Sequence, residues 1–369
     1  MKKTVLSALT AAFVLGVIAP QVSAAPVSAA RPDSDSQVNE ELRDLRARVA
    51  MLERENDYRN SYNYDDEDDW TKKFDLKGEF RYRFWHNKKA SDKTSNNRLE
   101  LRFIPTIQLN DNLAIKSRFA ARYNHMEHDH DSDWSTHYLY LEGKFDKFQV
   151  NAGKLVLFTD VDQGMVADNY FSGVQFITDV GDFNLKINGG RIGDSVDSIV
   201  RIDTDGEARV KTVWSDTDYI GAEALYDMAD EFRIGAGYHH LQNGDAKANI
   251  FTLGGEYELN NDWTLNAAYG HNNKGGSHKD AFNVQGNYLG AQRDEEGTWG
   301  AYVAYRHVPD TVGIFPTYDT FNTDDKKGFE FGGEYTPMKD TLLQLQYFHG
   351  KHFNKNNART LFARASIFF

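Results

Sequence analysis

Closely spaced arginines are the side chains in this sequence with the clearest capacity for chemistry. They fall in three segments at spacings of two or four residues: Arg81 and Arg83, Arg98 and Arg102, Arg118 and Arg122. A guanidinium carries a permanent charge and several donors, so a ladder of arginines can attract anions and orient dipolar solutes. The simpler interpretation is a salt-bridged wall, because Glu79 and Glu100 lie within the same segments.

No pattern in the sequence indicates covalent catalysis. Serines and histidines are present, but none has a spacing that implies a nucleophile with its base, so we predict no enzyme and no catalytic residue. The segment HMEHDHDSD (125–133) brings His125, His128 and His130 close to acidic residues, as a zinc site or a cation bridge to lipopolysaccharide would require. Solvated loops rich in His and Asp are common, and we predict neither a metal site nor a cofactor.

The arginines belong to a pattern with a period of two that begins at Lys73. In KFDLKGEFRYRFW (73–85), charged residues alternate with apolar residues or glycine, and the alternation recurs up to the C-terminus. A charged Arg or Lys facing the middle of a bilayer costs about 2–4 kcal/mol. The pattern therefore predicts strands with one surface facing lipid and the other facing enclosed water.

Short and long connections alternate between these strands. Short turns such as 110–112 and 146–147 are followed by long connections such as 158–170 and 308–327. This alternation is typical of antiparallel outer-membrane barrels. We predict an all-β transmembrane antiparallel β-barrel of about 16 strands over residues 73–369, each long enough to cross a bilayer. The count becomes 18 if SIVRIDTDGEARVKTVW (198–214) adds a spanning hairpin.

The bulk composition excludes other classes of protein. The chain has 369 residues, a net charge of −13 and no cysteine, and its mean hydropathy is −0.64. The acidic balance disfavours nucleic acid as a partner. After the N-terminus, no apolar run is long enough to cross a membrane as a helix.

The N-terminus has the features of a secretory signal peptide. Lys2 and Lys3 precede an apolar segment (6–19), and small residues follow up to Ala24. We predict a signal peptide over residues 1–24 that is cleaved after Ala24. Residues 25–37 are small, polar and proline-bearing, which is typical of a linker.

Residues 38–59 predict a short coiled coil, and the acidic residues 60–72 predict a solvated spacer. Apolar residues recur at heptad positions: Val38, Leu42, Leu45, Val49 and Leu52. So narrow an apolar stripe needs partner helices, although the helix could instead lie against its own chain. The segment 48–53 resembles the signature of trimeric coiled coils, which implies a homotrimer with a seam formed by Arg48, Val49, Leu52 and Glu53.

The chain ends in RTLFARASIFF (359–369), which continues the alternation to the last residue. We predict that this strand pairs with the first and closes the barrel, because a free edge is not tolerated in a bilayer. Phe369 would then lie in the interfacial aromatic girdle. The ending also resembles the recognition signal of bacterial outer-membrane proteins, which implies the barrel-assembly machinery as a partner.

Residues 38–369 as a whole resemble the trimeric, general-diffusion porins of Gram-negative bacteria that carry an N-terminal coiled coil. The resemblance implies an outer-membrane channel for passive diffusion of small hydrophilic solutes and ions, in contact with membrane lipid and lipopolysaccharide. It places the coiled coil in the periplasm and the long loops outside the cell. It also implies that residues 159–173 fold into the lumen, with Asp160, Asp162 and Asp168 forming an acidic side opposite the arginine wall.

Other functions remain open on the sequence alone. A solute-specific channel could take anions such as phosphate on the arginine ladder, or sugars if the barrel has 18 strands. A structural or adhesive barrel would use the coiled coil as a spacer. Basic wall residues and acidic loops oppose each other, so the ion preference stays undetermined.

Overall fold

The computed structural model describes residues 49, 70–89, 92–124, 132–193, 217–243, 246–274, 278–321, 325–353 and 356–369. The chain divides into two compact units, Met1–Asp68 and Asp69–Phe369, and Val49 is the one described residue of the first. The predicted signal peptide and linker, the rest of the predicted coiled coil, and residues 60–69 of the predicted spacer lie outside the described residues, whereas residues 70–72 of the spacer are described. The histidine-rich segment 125–131 and the predicted hairpin 198–214 also lie outside them.

None of the helical residues described here forms a segment with the length and apolarity needed to cross a membrane. A short helix, α1 (Trp70–Lys73), leads directly into the first strand.

Sixteen strands in the described part of the chain form a closed antiparallel barrel in which each strand pairs with its neighbours in sequence. The strands are β1 (Phe74–Lys89), β2 (Asp92–Gln108), β3 (Leu113–Asn124), β4 (Ser132–Phe145), β5 (Phe148–Phe158), β6 (Asp168–Val180), β7 (Phe183–Ile192), β8 (Thr217–Ala229), β9 (Phe232–Asn243), β10 (Ala246–Asn260), β11 (Trp263–Asn272), β12 (Asp280–Leu289), β13 (Trp299–Val308), β14 (Lys326–Met338), β15 (Thr341–His352) and β16 (Asn357–Phe368).

The count of sixteen confirms the prediction and excludes the alternative of eighteen. Strand β7 pairs directly with β8 from Phe183↔Tyr226 to Ile192↔Thr217, so no further strand lies between these two in the barrel wall. The argument for a sugar channel from an eighteen-strand barrel therefore no longer applies.

The outer surface of the barrel is apolar, as the alternation predicts. On β1 the outward residues Phe74, Leu76, Phe80 and Tyr82 are exposed, and the same holds around the barrel. Aromatic pairs gather near the short turns, including Phe145 with Phe148 at a centroid distance of 4.9 Å. Such a band is the lipid-facing surface of a transmembrane barrel, bordered by an interfacial aromatic girdle.

The C-terminus closes the barrel as predicted. Strand β16 pairs with β1 from Glu79↔Phe368 to Lys89↔Ala358. Gly78 N donates to Phe369 O at 2.7 Å, and Phe369 N donates to Gly78 O at 3.1 Å. The Phe369 ring covers the space that a side chain at position 78 would fill. Gly78 thus makes room for the terminal aromatic residue at the seam.

The first hairpin is longer than the sequence pattern predicts. Strands β1 and β2 have 16 and 17 residues, and they stay paired as far as Lys89↔Asp92. Most of the predicted connection 86–97 is therefore strand. The two strands remain paired at polar residues such as Asn87 and Thr94, because the hydrogen bonds between strands join backbone groups and do not require an apolar face.

Candidate functional site: a basic wall facing two inner loops

The arginine ladder lies on the inner surface of the barrel, where cross-strand register places like charges side by side. Arg83 on β1 is opposite Arg364 on β16 and opposite Arg98 on β2. Directly opposed like charges destabilise a sheet. A row of three arginines therefore reduces the stability of the sheet, and it forms a surface that attracts anions.

Two carboxylates on the same wall hold part of this charge. Arg81 Nε donates to Glu79 Oε1 at 2.7 Å, and Arg102 Nη1 donates to Glu79 Oε2 at 3.2 Å. Glu100 accepts from Arg102 Nε and Arg83 Nη2, both at 2.9 Å. The salt-bridged wall and the basic surface thus coexist, because two buried acids fix the orientation of three arginines.

The connection between β5 and β6 folds into the barrel as a compact first inner loop (residues 159–167). Its neck is closed by Thr159 N, which donates to Ala167 O at 3.0 Å. Its tip is held by Asp162, whose Oδ1 accepts from Thr159 Oγ1 at 2.6 Å and from Val166 N at 3.0 Å. Gly164 has a φ of +75°, a conformation that glycine adopts without strain.

Apolar packing keeps this loop inside the barrel. Met165 and Val166 are buried in a cluster with inward-facing residues of β9 and β10, among them Leu241 and Ile250. An open water-filled barrel would carry polar residues at those wall positions. This part of the wall is apolar because the loop covers it.

Gly254 on β10 is the point where the loop backbone meets the wall. A Cβ at this position would lie 1.7 Å from the carbonyl oxygen of Val161. Glycine within a strand commonly marks such a close approach of another backbone. The absence of a side chain at 254 therefore sets how deeply the loop sits against β10.

Gly254→Val should lower the single-channel conductance, because the added side chain pushes the first inner loop away from β10 and towards the arginine wall. The conductance of reconstituted protein measures the effect. Gly286→Val is the matched control, since a Cβ there meets nothing within 4 Å. A Gly254→Val channel with wild-type conductance would contradict this placement of the loop.

The connection between β13 and β14 forms a second inner loop (residues 309–321), which the sequence interpretation assigned to the outside. Val312, Ile314, Phe315 and Phe321 are all buried, and Phe321 packs edge-on against Phe348 with 5.1 Å between ring centroids. These apolar side chains would be unfavourable in a solvated loop. They are the signal in the sequence that could have revealed the inward path.

The two inner loops bind each other through their backbones. Phe315 N donates to Val166 O at 3.0 Å, and Asp168 N donates to Phe315 O at 2.6 Å. Thr317 N donates to Gly164 O at 2.9 Å, and Thr317 Oγ1 donates to Asp168 Oδ2 at 2.7 Å. Because of these bonds, the loops form one partition across the lumen.

A buried ion pair anchors the second inner loop to the wall. Arg306 Nη2 donates to Glu330 Oε1 at 2.6 Å, and both side chains are almost fully buried. Thr320 Oγ1 donates to the same carboxylate, and the Arg306 guanidinium lies 3.7 Å from the ring centroid of Tyr318. Glu330 therefore neutralises a buried charge and also holds the loop.

The space between wall and loops is a polar cavity of about 620 Å³. Among the described residues, six arginines and three carboxylates line it: Arg81, Arg83, Arg102, Arg118, Arg306 and Arg364, with Asp168, Asp319 and Glu330. A second cavity of about 440 Å³ shares Arg83, Asp168 and residues 317–319, and it adds Arg98 and Trp85. Positive charge exceeds negative charge along this path.

The predicted residues separate into three groups in the structure. Arg81, Arg83, Arg98, Arg102, Arg118 and Asp168 line the two cavities. Arg122 lies farther along the wall, with its Nε 3.5 Å from Glu100 Oε1. Asp160 pairs with Lys186 on the other side of the first inner loop. Asp162, in the same loop, is fully buried and points towards Glu223 and His239 of the opposite wall.

The acids that do face the arginine wall were mostly missed by the sequence interpretation. Arg364 Nη1 donates to Asp319 Oδ2 at 3.2 Å, and Glu330 lies at the cavity beside Arg306.

Asp162 lies in the first inner loop, not in a spanning strand. Burial and the charge of Glu223 raise its pKa to about 7. This environment makes Asp162 an anchor of the loop.

A closed barrel of sixteen strands with an apolar outer band and a polar interior defines a transmembrane channel. The family model of Gram-negative porins matches residues 87–311 and, in a second match, residues 215–361. The chain belongs to this family, and it is an outer-membrane channel for the diffusion of solutes. A comparison with curated proteins found no match.

Solved porins have the same fold at low sequence identity. The high-pH structure of OprB from Pseudomonas putida superposes with a TM-score of 0.57 at 13% identity, covering 81% of this chain and 95% of that one. A mutant of the porin of Rhodopseudomonas blastica gives a TM-score of 0.51 at 14% identity, covering 80% of this chain and all of that one. At such identities the likeness concerns the fold alone.

Proposed function

We propose that this porin favours the passive diffusion of small anionic solutes, with neutral hydrophilic solutes passing less selectively. The observation that carries the proposal is the row Arg364–Arg83–Arg98, which borders two cavities that together are lined by seven arginines and three carboxylates. A cavity lined by one sign of charge concentrates the opposite ion. The sequence leaves the ion preference undetermined. Asp162 is buried and does not line either cavity, so it adds no negative charge there, which supports a preference for anions.

A reversal-potential measurement tests the proposal. Purified protein is inserted into a planar bilayer that separates two KCl solutions of unequal concentration. We expect a potential whose sign reports that chloride permeates faster than potassium. Raising the salt concentration should weaken the preference, because mobile ions screen the arginines within a Debye length of ~8 Å at physiological ionic strength. A potassium preference would contradict the proposal.

A phosphate-specific channel is the second candidate, and the three opposed arginines favour it. Arg presents planar donors that match phosphate oxygens in a bidentate arrangement. A binding site would make the current saturate with phosphate concentration and would let phosphate block chloride current. A phosphate current that rises linearly with concentration would leave general diffusion as the function.

The assembled protein is proposed to be a homotrimer joined in part by the coiled coil at residues 38–59. The heptad pattern and the segment Arg48, Val49, Leu52 and Glu53 support this assembly. Each insertion into a bilayer should then raise the current in three equal steps. Single steps throughout would argue for independent barrels.

We propose the orientation and the route to the membrane from the sequence pattern and from the resemblance to porins. Residues 1–24 direct export, the linker and spacer flank a periplasmic coiled coil, and the long connections other than the two inner loops face the outside, next to lipopolysaccharide. Phe369 closes the barrel and is exposed at its edge. That position supports its role as the signal read by the barrel-assembly machinery.

A further inference from the structure

Behind the first inner loop, three buried side chains converge from three separate segments. Asp162 comes from the loop, Glu223 from β8 and His239 from β9. One ligand atom from each lies within 4.8 Å of the others, and His239 Nε2 is 3.9 Å from Asp162 Oδ2. No part of solute diffusion requires this cluster, since it lies away from the cavities at the arginine wall.

The converging atoms are poorly satisfied. Asp162 Oδ2 and His239 Nε2 are buried and have no hydrogen-bond partner among the residues that the structure describes. Glu223 Oε2 has the Lys186 ammonium 2.8 Å away. A buried polar atom without a hydrogen-bond partner is costly to folding, and two that face one point indicate a shared partner.

The opposite atom of each side chain is already held, which fixes the orientation of all three. Asp162 Oδ1 accepts from Thr159 and Val166, and Glu223 Oε1 accepts from Val161 N at 3.0 Å. His239 Nδ1 lies 3.0 Å from the Tyr219 hydroxyl. Metal-binding histidines and carboxylates are commonly oriented in this way by outer partners.

The net charge around the cluster is negative, which favours a bound cation. Asp160, Asp162 and Glu223 bring three carboxylates to a region where Lys186 supplies one positive charge. When all three carboxylates are ionised, a divalent cation brings the sum to zero. Buried charges without compensation are costly, so this deficit favours a bound cation over a vacant cluster.

We propose that Asp162, Glu223 and His239 form a zinc-binding site that fastens the first inner loop to the barrel wall. Zinc binds both imidazole nitrogen and carboxylate oxygen, whereas calcium and magnesium take oxygen donors. Bonds of ~2.1 Å place tetrahedral ligand atoms about 3.4 Å apart. The separation of 3.9 Å between His239 and Asp162, within a cluster whose atoms lie within 4.8 Å of one another, would therefore have to contract on binding.

An acidic cavity offers the ion a way in. A space of about 430 Å³ adjoins the loop at Asp160 and Val161 and is also lined by Asp179, Asp227 and Glu256. Val161 is the residue whose N–H holds Glu223. Carboxylates lining a cleft raise the local concentration of cations.

The test measures zinc bound per chain. Folded wild-type protein, stripped with a chelator, is titrated with ZnCl₂, desalted and analysed for metal by mass spectrometry. His239→Gln and Asp162→Asn should each bind one zinc fewer per chain than wild type. Tyr219→Phe should weaken the affinity about 10–100-fold, because it removes an orienting contact while leaving the ligands.

His271→Gln is the matched control, since His271 pairs with Asp280 on a nearby strand and lies outside the cluster. It should keep the wild-type stoichiometry, and heat-modifiable migration on gels checks that each variant is folded. Equal zinc content in wild type, His239→Gln and Asp162→Asn would overturn the proposal.

X-ray absorption of zinc-loaded wild type gives a readout that needs no variant. One imidazole with oxygen ligands supports the site. A shell of several imidazoles, as the segment 125–133 would supply, or the absence of tightly bound zinc contradicts it. Zinc content and zinc coordination are both measured without recording current, so either result is independent of the proposed anion preference.

Discussion

Arg118→Glu should shift the channel from chloride preference towards potassium preference. Arg118 lines the polar cavity of about 620 Å³, and it forms no ion pair with a carboxylate of the described residues. The substitution therefore changes the field of the cavity by two charges without leaving a buried acid unpaired. One unit charge at 4 Å is worth about 1 kcal/mol in water, or roughly a five-fold change in local ion ratio.

A graded series makes this prediction specific. Arg118→Gln removes one charge and should move the reversal potential about half as far as Arg118→Glu. Arg191→Glu is the matched control, because Arg191 forms an exposed ion pair with Asp218 away from both cavities, with its Nε 2.9 Å from Asp218 Oδ1. A shift with Arg191→Glu equal to that of Arg118→Glu would remove the link between cavity charge and selectivity.

Glu330→Ala should destabilise the barrel by about 3–5 kcal/mol, since removing one partner of a buried ion pair leaves the other charge uncompensated. Arg306 is almost fully buried, and its two shortest hydrogen bonds, both 2.6 Å, are donated to Glu330 Oε1 and Asn283 Oδ1. The same substitution frees Thr320, so the second inner loop should also lose its anchor. Equilibrium unfolding of the reconstituted protein in urea measures the loss.

Two comparisons separate this effect from general damage. Asp227→Ala breaks an exposed pair with Arg233 and should cost less than about 1 kcal/mol. Replacing both partners, with Glu330→Leu and Arg306→Met, should recover much of the stability lost in Glu330→Ala. If Glu330→Ala were no less stable than Asp227→Ala, the buried pair would not be an anchor.

The barrel was predictable because a strand that crosses a bilayer must alternate. A slip of one residue in the pairing of a strand would turn an inward charge, such as Arg81 or Arg102, towards lipid, so the charges fix the face on which each strand points inwards. The terminal Phe369 indicates that the last strand closes the barrel. These constraints are local and repeat along the chain. The sixteen strands and the inward position of the arginine ladder therefore follow from the sequence.

The inner loops depend on contacts between distant segments and were harder to predict. The first inner loop was expected from resemblance, yet the position of Asp162 follows from Gly254, Glu223 and His239, which lie 61 or more residues away in sequence. Periodicity carries no information about such pairings. The second inner loop gives only a weak signal in the sequence: Ile314 and Phe315 are too apolar for a solvated connection.

The single-channel conductance of unmodified protein tests the central claim most directly, namely that an aqueous path runs between the arginine wall and the two inner loops. Purified protein in a planar bilayer should carry a steady, ohmic current of ions. A barrel that inserts fully, as judged by heat-modifiable migration and protease protection, yet carries no current would contradict the account.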